Sequence, residues 1–393
     1  MSSALVWLGH TRVGILERFD DDHIFAFDQD YLRLPERPVL GQFFEDRLPE
    51  AVSTFRLLPW FQQVLPQGPL KKAIASEAGL DEDDELGLLV WLGEDLPGAV
   101  RVTNLDGQPG YRRAKQKLES APPSAALRVS LAGVHWKVAL STTERGFTLP
   151  VRGRESAWIA KFQGREWPRL VQVEFATMTW ARLSGLVVPE VLTERAERIE
   201  RLPPRIPVGD GLVLLVPRFD RSPGGRIHIE DFAQILDRPD QFSGAFEEIA
   251  VFVKTECPQD RAELIRRLAF MIGSGNGDAH LKNWSIWYLD GTHGTLAPAY
   301  DQVATVAFPS LPPTLALRLA NQPELRFDTL GLSHFEPISR ALGMTPAAFS
   351  REFCTALRAV IDAFPLVAAS YSSQERDAIE AHLGRLRTLA QSA

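Results

Sequence analysis

A glycine-rich segment of the 393-residue chain combines a carboxylate, an imidazole, an amine and an amide. It reads GSGNGDAHLKN over residues 273–283 and comes directly after an apolar pattern with helical spacing. Phosphoryl transfer needs a carboxylate to orient the attacking hydroxyl and magnesium to neutralise the phosphate oxygens. Asp278 and Asn283 have the spacing that separates the base from a metal ligand in kinase catalytic loops. The segment therefore predicts a catalytic base at Asp278 and a magnesium ligand at Asn283.

Three residues elsewhere extend this kinase pattern. Asp301 comes after a predicted strand at 284–289 and a turn, where a second metal carboxylate is expected. Lys161 is a charged residue inside an apolar strand pattern, and Glu174 lies on the next predicted helix. A strand lysine held by a helix glutamate is the arrangement that binds the α- and β-phosphates of ATP. The pattern predicts ATP and Mg²⁺ as cofactors, Lys161 as a phosphate contact and Glu174 as the residue that positions it.

Each of these residues also has a simpler interpretation on its own. An aspartate in a Gly/Asn-rich turn is usually a turn former, and a strand lysine usually extends to solvent. The case depends on their joint appearance in kinase order. Two other classes of function stay open: an inactive kinase-like corepressor or binding module, and a metal-dependent hydrolase with Asp278, His280 and Asp301 around a bound water.

The composition bounds the class of protein. Hydrophobic residues make up 45% and charged residues 24% of the chain, as in a globular protein of two or three domains. The net charge of -7 gives no drive toward nucleic acid or an anionic membrane. Cys257 and Cys354 are far apart, which predicts neither a disulfide framework nor a zinc site. Without a leader pattern at residues 1–12 or a bilayer-length apolar stretch, we expect a soluble cytoplasmic protein with no membrane contact.

The order of predicted elements suggests three parts. Short strands begin the chain, and a Gly/Pro-rich stretch at 107–125 marks a boundary. Strands and one helix at 169–183 come next, and the rest is mainly helical, beginning with a helix predicted at 229–236. This order predicts an α+β, bilobal protein-kinase-like fold, with the active site in the crevice between the last two parts. The predicted parts are an N-terminal subdomain at 1–120, an N-lobe of antiparallel sheet plus helix at 126–222, and a helical C-lobe at 223–393.

Residues 127–310 resemble the HipA family of bacterial toxin kinases. The family motif Asn-x-Asp-x-His-x-Lys-Asn followed by Tyr-Asp occurs here as Asn276, Asp278, His280, Lys282, Asn283, Tyr300 and Asp301. Residues 57–66 and 92–100 also resemble the family's N-terminal unit, so the resemblance covers nearly the whole chain.

The resemblance implies a set of nucleotide contacts. Residues 216–220, the hinge, would meet adenine through backbone groups, while Asp220 and Gln234 would approach the ribose. The ATP-binding positions that it implies are Ala132, Gly133, Lys137, Lys161, Arg218, Phe219, Asp220, Gln234, His280 and Lys282.

The resemblance also implies regulation and partners. Residues 128–137 are similar to the family's phosphate-covering loop, whose serine, here Ser130, is a site of inactivating autophosphorylation. Phosphate on Ser130 would be incompatible with the loop folded over ATP. The implied activity is that of a toxin Ser/Thr kinase that phosphorylates a translation component such as an aminoacyl-tRNA synthetase. The implied partner is a HipB-like DNA-binding antitoxin, through which the protein would reach operator DNA.

Overall fold

The computed structural model describes residues 2–105, 136–144, 146–150, 156–164, 167–204 and 206–392. It contains both strands and helices, so the mixed α+β composition predicted from the sequence is confirmed. Among the described residues, no helix combines the length and the apolar character needed to cross a bilayer.

Sixteen strands are described. They are β1 (Ser2–Leu8), β2 (Thr11–Phe19), β3 (Asp22–Phe27), β4 (Val52–Thr54), β5 (Val100–Asn104), β6 (Lys137–Thr143), β7 (Gly146–Thr148), β8 (Trp158–Phe162), β9 (Leu192–Arg195), β10 (Ile199–Glu200), β11 (Leu212–Pro217), β12 (Arg221–Ser222), β13 (Gly225–Arg226), β14 (His228–Asp231), β15 (Ser285–Tyr288) and β16 (Thr295–Leu296).

Twelve α-helices are described. They are α1 (Gln29–Leu32), α2 (Gln42–Glu45), α3 (Pro59–Gln62), α4 (Gly68–Ala78), α5 (Glu85–Leu92), α6 (Leu170–Leu183), α7 (Phe232–Ile235), α8 (Phe246–Glu256), α9 (Arg261–Ser274), α10 (Glu336–Ala341), α11 (Pro346–Ala363) and α12 (Ser373–Gln391).

Contacts divide the chain into two compact units. Unit 1 comprises residues 1–168, 192–239 and 287–292, and unit 2 comprises residues 169–191, 240–286 and 293–393. This division differs from the three predicted parts, since α6 of the predicted N-lobe belongs to unit 2. The three predicted parts stay a prediction about domains.

Unit 1 is built on two sheets. The first has the strand order β4-β3-β2-β1-β5 and the second the order β10-β7-β6-β8-β11-β9. In the second sheet β6, β8, β11 and β9 pair antiparallel, as predicted, whereas β10 pairs parallel to β7. Apolar side chains of both sheets, such as Val102 and Val213, share one buried core. The predicted N-terminal strands and the predicted N-lobe sheet therefore belong to a single hydrophobic unit.

Unit 2 is mainly helical. Trp180 of α6 donates a hydrogen bond to the carbonyl of Val360 on α11 (2.8 Å) and packs against Phe270 of α9. A Cβ atom at Gly273 would lie 2.5 Å from Val360 Cγ1, so the close packing of α9 on α11 requires glycine there. Helix α9 thus lies against its neighbours and ends just before residues 276–283, hereafter the motif segment.

One predicted element is wrong. The helix predicted at 229–236 is replaced by strand β14 and the short helix α7. Asp231 is extended at this boundary, with φ -85° and ψ 163°, and its side chain accepts the N–H of Gln234. Since the side chain of Gln234 in turn accepts the N–H of Asp231, this capping box fixes the helix start after residue 231.

Candidate active site

In unit 2, a tight turn connects the end of helix α9 to the motif segment. Gly275 ends the helix with φ 64°, and a Cβ there would lie 2.4 Å from Val306 Cγ1. The N–H of Asn276 closes the turn on the carbonyl of Met271 (2.9 Å), and the N–H of Asp278 binds Asn276 Oδ1 (3.1 Å). The side chain of Asp278 is 52% exposed, so its backbone is fixed while its carboxylate faces outward.

Asn283 is hydrogen-bonded to backbone carbonyls earlier in the motif segment. Its Nδ2 donates to the carbonyl of Asp278 at 2.7 Å, and its N–H donates to the carbonyl of His280 at 2.9 Å. Because Nδ2 is used in this way, Oδ1 is the atom of the amide that can accept another ligand, and amide oxygens suit magnesium. The predicted base and the predicted metal ligand are thus fixed to one another.

Asp301 is joined to the same segment through its two neighbours. The hydroxyl of Tyr300 donates to the carbonyl of Lys282 at 2.7 Å. On the other side, Gln302 Oε1 accepts from Asn276 Nδ2 at 3.4 Å. Asp301 itself has φ 53°, a left-handed conformation that a non-glycine residue adopts only where the surroundings hold it. The structure therefore joins the turn that carries Asp301 to the segment that carries Asp278 and Asn283, within unit 2.

His280 and Lys282 are both buried beside these groups. Nε2 of His280 lies 4.0 Å from Asp278 Oδ1, and its ring meets the ring of Phe242 edge-on at 5.3 Å. The sequence motif did not include Phe242, which is half exposed. His280 therefore stands between an apolar side chain and the carboxylate of Asp278.

The described residues contain no cluster of three or more His, Cys, Asp and Glu side chains that could hold a metal ion. A kinase needs fewer protein ligands, because magnesium takes one or two carboxylates and completes its shell with phosphate and water. Asp301 and Oδ1 of Asn283 fit that requirement.

Unit 1 carries the predicted phosphate-binding lysines. Lys137 on β6 and Lys161 on β8 are directly opposite each other in the antiparallel pair, so their side chains share one face of the sheet. Two positive charges in this position repel each other and destabilise the sheet. An anion bound near both ammonium groups would offset this repulsion. Glu174 is a buried residue of α6 in unit 2, and its predicted contact with Lys161 stays a prediction.

The predicted hinge residues are partly engaged inside unit 1. Arg218 and Asp220 are buried and paired with each other, while Phe219 between them is only half buried. Gln234 uses Oε1 to cap α7 and Nε2 to reach the carbonyl of Trp60 (3.4 Å). The ribose contacts predicted for Asp220 and Gln234 stay predictions, and ribose would have to compete with these protein groups.

Three predicted residues, Ser130, Ala132 and Gly133, lie outside the described residues. Sequence reasoning missed Gln302 and Asp95, which contact predicted site residues. Gln302 comes directly after Asp301, so its place in the motif could have suggested it. Asp95 binds Arg218 from a position 123 residues away, and no spacing rule reveals such a pair.

Family models account for most of the chain. Residues 4–103 match the HipA N-terminal domain, and residues 129–364 match the HipA-like C-terminal domain. The chain belongs to the HipA family. The resemblance stated from the motif is therefore confirmed, and both of the family's domains are present.

Two proteins of Sinorhizobium fredii are similar in sequence to this chain. "Putative kinase Y4dM" is 37% identical over 313 residues, which cover 77% of this chain and 76% of the relative. "Putative kinase Y4mE" is 30% identical over 307 residues, which cover 70% of each protein. Together with the two HipA domains, these relatives support a HipA-like kinase or toxin–antitoxin component.

A solved structure has the same fold. It is the complex of HipA, HipB and operator DNA from the Shewanella oneidensis toxin–antitoxin system, whose similar chain is 19% identical with a TM-score of 0.72. The match covers 99% of this chain and 96% of the other. The kinase-like α+β fold predicted from the sequence is confirmed by this similarity.

Proposed function

We propose that this HipA-family protein is an ATP- and magnesium-dependent protein Ser/Thr kinase that acts as the toxin of a toxin–antitoxin pair. The observation that carries the proposal is the joining of the Asp278–Asn283 segment to the Asp301 turn. Two hydrogen bonds do this, Tyr300 to Lys282 (2.7 Å) and Asn276 to Gln302 (3.4 Å), while the bond from Asn283 to the carbonyl of Asp278 (2.7 Å) closes the segment itself. A base and two oxygen ligands on connected segments suit the requirements of phosphoryl transfer.

Each of these residues would have a separate part in the reaction. The exposed carboxylate of Asp278 would accept a hydrogen bond from the substrate hydroxyl and take its proton. Oδ1 of Asn283 and the carboxylate of Asp301 would hold magnesium. When bound, magnesium supplies positive charge that neutralises the phosphate oxygens. The ammonium groups of Lys137 and Lys161, on one face of the sheet, would bind the phosphates that are not transferred.

The identity of the substrate and partner rests on family membership. We propose a translation component, such as an aminoacyl-tRNA synthetase, as the substrate, and inactivating autophosphorylation at Ser130. The Shewanella protein was solved with HipB and operator DNA, which supports a HipB-like antitoxin as the partner here. The net charge of -7 supports contact with operator DNA mainly through that antitoxin.

The direct test is incubation of the purified chain with γ-labelled ATP, with magnesium or with EDTA. We expect label on protein serine or threonine with magnesium alone, and loss of that label in Asp301→Asn. Asp290→Asn is the matched control, since Asp290 is another exposed turn aspartate and should change nothing. ATP binding without transfer would favour the corepressor, and free phosphate without labelled protein would favour the hydrolase. Either result contradicts the proposal.

The substrate can be found in cells. Phosphoproteomics after expression of the wild-type chain, compared with Asp278→Asn, should yield serine or threonine sites that depend on Asp278. Ser130→Ala should extend the activity if phosphate on Ser130 inactivates the enzyme. Absence of any Asp278-dependent site in a strain that makes folded protein would contradict the kinase assignment.

A further inference from the structure

Four charged side chains form a buried cluster in unit 1, hereafter the quartet: Asp95, Arg218, Asp220 and Arg221. None of the four side chains is more than 8% exposed. Asp95 Oδ1 accepts from both guanidinium groups, at 2.8 Å from Arg218 and 2.9 Å from Arg221. Asp220 Oδ2 likewise accepts from both, at 2.7 and 2.8 Å. With two cations and two carboxylates, the quartet is electrically neutral.

The quartet joins two distant parts of the sequence. Asp95 belongs to the HipA N-terminal domain, whereas Arg218, Asp220 and Arg221 belong to the C-terminal domain. Backbone groups around Asp95 strengthen the link: the carbonyl of Leu96 accepts from Arg218 (3.2 Å), and the N–H of Gly98 donates to Asp220 (2.8 Å). The N-terminal domain therefore holds the hinge from one side.

Ser156 adds a third contact to the same link. Its hydroxyl donates to Asp95 Oδ2 at 2.6 Å and accepts from Arg218 Nη1 at 2.8 Å. The N–H of Arg218 binds the carbonyl of Ala157 at 2.9 Å. Both the backbone and the side chain of Arg218 are thus fixed at the end of β11, opposite the start of β8.

The register of the sheet puts the hinge about one nucleotide's length from the phosphate-binding lysine. Lys161 on β8 is paired with Leu214 on β11, and β11 continues three residues further to Pro217. At about 3.3 Å per residue this distance is roughly 10 Å. A nucleotide bound with its phosphates at Lys161 can therefore present its base to the hinge.

The alternation of side-chain directions along the hinge decides which of its side chains can meet that base. Arg218 and Asp220 both point into the quartet and are buried, whereas Phe219 between them is half buried. In extended chain, neighbouring side chains point to opposite sides. The ring of Phe219 meets that of Trp287 edge-on at 6.3 Å. Residue 219 thus lies between two residues that the quartet immobilises.

We infer that Asp95 of the N-terminal domain is a positioning residue for the nucleotide base, acting through Arg218 to fix the backbone and ring of Phe219. This inference rests on the proposed kinase function. It assigns the N-terminal domain a part in ATP binding that requires no contact between that domain and the nucleotide. Without the carboxylate of Asp95, two guanidinium groups share Asp220 alone, and Arg218 loses its ion pair with the N-terminal domain.

The test compares Asp95→Asn with Asp84→Asn in the full chain. Asp84 is the matched control, because it is a carboxylate of the same domain that pairs with an arginine (Arg18, 2.7 Å). Its other task is to cap α5, which asparagine also does. Calorimetric titration with Mg-ATP should give a Kd about tenfold higher for Asp95→Asn than for the wild type. This change corresponds to a loss of about 1.4 kcal/mol in binding free energy. The kcat at saturating ATP should stay within about twofold, since the quartet touches no reacting atom.

The design separates positioning from a loss of folded protein. Partial unfolding lowers the number of binding sites and leaves the Kd of the remaining sites unchanged, whereas a misplaced hinge changes the Kd. Amide hydrogen exchange of residues 216–221 without nucleotide gives an independent readout, and it should be faster in Asp95→Asn only. An unchanged Kd with unchanged exchange overturns the inference, and so does an equal effect in Asp84→Asn.

A second variant covers the case in which Asp95→Asn does not fold. Ser156→Ala removes one bond to Asp95 and one to Arg218 while leaving the quartet neutral. It should weaken ATP binding by about threefold, which is about half the effect of Asp95→Asn on a free-energy scale. A Kd equal to the wild type with unchanged exchange overturns the inference. If the wild-type chain itself does not bind ATP, the proposed function fails, and exchange at 216–221 still decides whether Asp95 positions the hinge.

Discussion

The quartet and the motif segment use similar side chains for opposite purposes. In the quartet, Asp95 and Asp220 are buried, and each carboxylate is shared by two guanidinium groups. In the motif segment, Asp278 is held by its backbone, and its side chain is 52% exposed. A carboxylate whose oxygens are occupied by protein cations stabilises the fold. The carboxylate of Asp278 is oriented from its backbone and is half exposed, as a base that meets a substrate hydroxyl must be.

The electrostatics of the quartet result from this arrangement. Burial alone would raise the pKa of Asp220, but the charge and hydrogen bonds of Arg218, the charge of Arg221 and the N–H of Gly98 together outweigh burial and lower the pKa to about 2. For Arg218, burial would lower the pKa, but Asp220 and Asp95 raise it. The pair is therefore ionised across the physiological range, and its contribution to stability is lost only as the pH falls through the region between the unfolded value of 3.8 and about 2.

Glu230 is an intermediate case between these two regions. It is fully buried, and its carboxylate accepts from Trp60 (2.8 Å), Tyr288 (2.6 Å) and the N–H of Gln42 (3.1 Å). These partners are neutral, so burial dominates and raises the pKa of Glu230 to about 7. Comparison with Asp220 shows that the charge of the partners, more than their number, decides whether a buried carboxylate stays ionised near neutral pH.

The largest expected effect is that of Asp278→Asn on catalysis. Removing a general base typically costs between about 10²- and 10⁴-fold in rate, so kcat for phosphorylation should fall by about 10³. The melting temperature and the Kd for ATP should change little, because the side chain is exposed and the hydrogen bond of Asn283 goes to the backbone of residue 278. Rates of label transfer from ATP measure the effect, and retention of more than about a tenth of the activity would contradict the assigned role.

The second prediction concerns stability and tests the other side of the comparison. Arg218→Met leaves two buried carboxylates with Arg221 as their remaining cation in the quartet, and breaking such a pair costs about 3–5 kcal/mol of unfolding free energy. Arg33→Met is the control, since Arg33 pairs with Asp30 at the surface, where such pairs contribute about 0–1 kcal/mol. Chemical denaturation measures both. A loss below about 1 kcal/mol for Arg218→Met would mean that the quartet is not a structural element.

The sequence could indicate the motif segment because its information is local. Asp278 and Asn283 lie within one turn, and their spacing alone predicted a base and a metal ligand. The strand predicted before Asp301 also overlaps β15. The quartet could not be predicted, since Asp95 and Arg218 meet only after two sheets have packed on one core. A charged residue after an apolar strand pattern, such as Arg218, predicts the end of the strand. It does not predict which residue will form an ion pair with that charge.

The helix predicted at 229–236 was wrong for a related reason. Its apolar spacing fits a helix, but the side chain of Asp231 caps a helix that begins only at Phe232. Glu230 is then part of a strand, in which His228 and Glu230 point to the same side. Tertiary contacts of Glu230 with Trp60 and Tyr288 accompany the strand, and these are invisible in a local pattern.

A third prediction sharpens the comparison through pH. The pKa of Glu230 is raised in the folded state from 4.5 to about 7, so the folded protein binds more protons than the unfolded chain between these values. The unfolding free energy should therefore fall as the pH rises through this window, by about 2–3 kcal/mol from this group. Glu230→Gln should remove that fall. Chemical denaturation of both proteins at about pH 5, near the lower end of the window, and at about pH 8, above its upper end, gives the change in unfolding free energy for each protein.

Other titratable groups near Glu230 also make the unfolding free energy depend on pH. The effect of Glu230 must therefore be measured as a difference between the wild type and Glu230→Gln. Burial lowers the pKa of His228 to about 4, so His228 contributes stability that is lost as the pH falls below 6.5, the opposite direction. The charge of Asp231 also raises the pKa of Glu230. Both groups are present in the variant and cancel to first order. Equal pH dependence in wild type and Glu230→Gln would show that Glu230 is already ionised at the lower pH.

The smallest expected effect tests how firmly the Asp301 turn must be joined to the motif segment. Tyr300→Phe removes the hydrogen bond to the carbonyl of Lys282 (2.7 Å), together with the contact of the same hydroxyl with the Ser285 hydroxyl (2.5 Å), and leaves the ring in place. A hydrogen bond contributes about 1 kcal/mol, so kcat should fall by about fivefold and more magnesium should be needed for half-maximal activity. Tyr31→Phe is the control, because the hydroxyl of Tyr31 in unit 1 likewise donates to a carbonyl, that of Pro38 (2.6 Å), and has a second partner, Arg37 (3.0 Å). If the two variants lower stability alike but only Tyr300→Phe shifts the magnesium requirement, the bond positions a metal ligand. If neither shifts it, the left-handed turn at Asp301 holds its geometry without Tyr300.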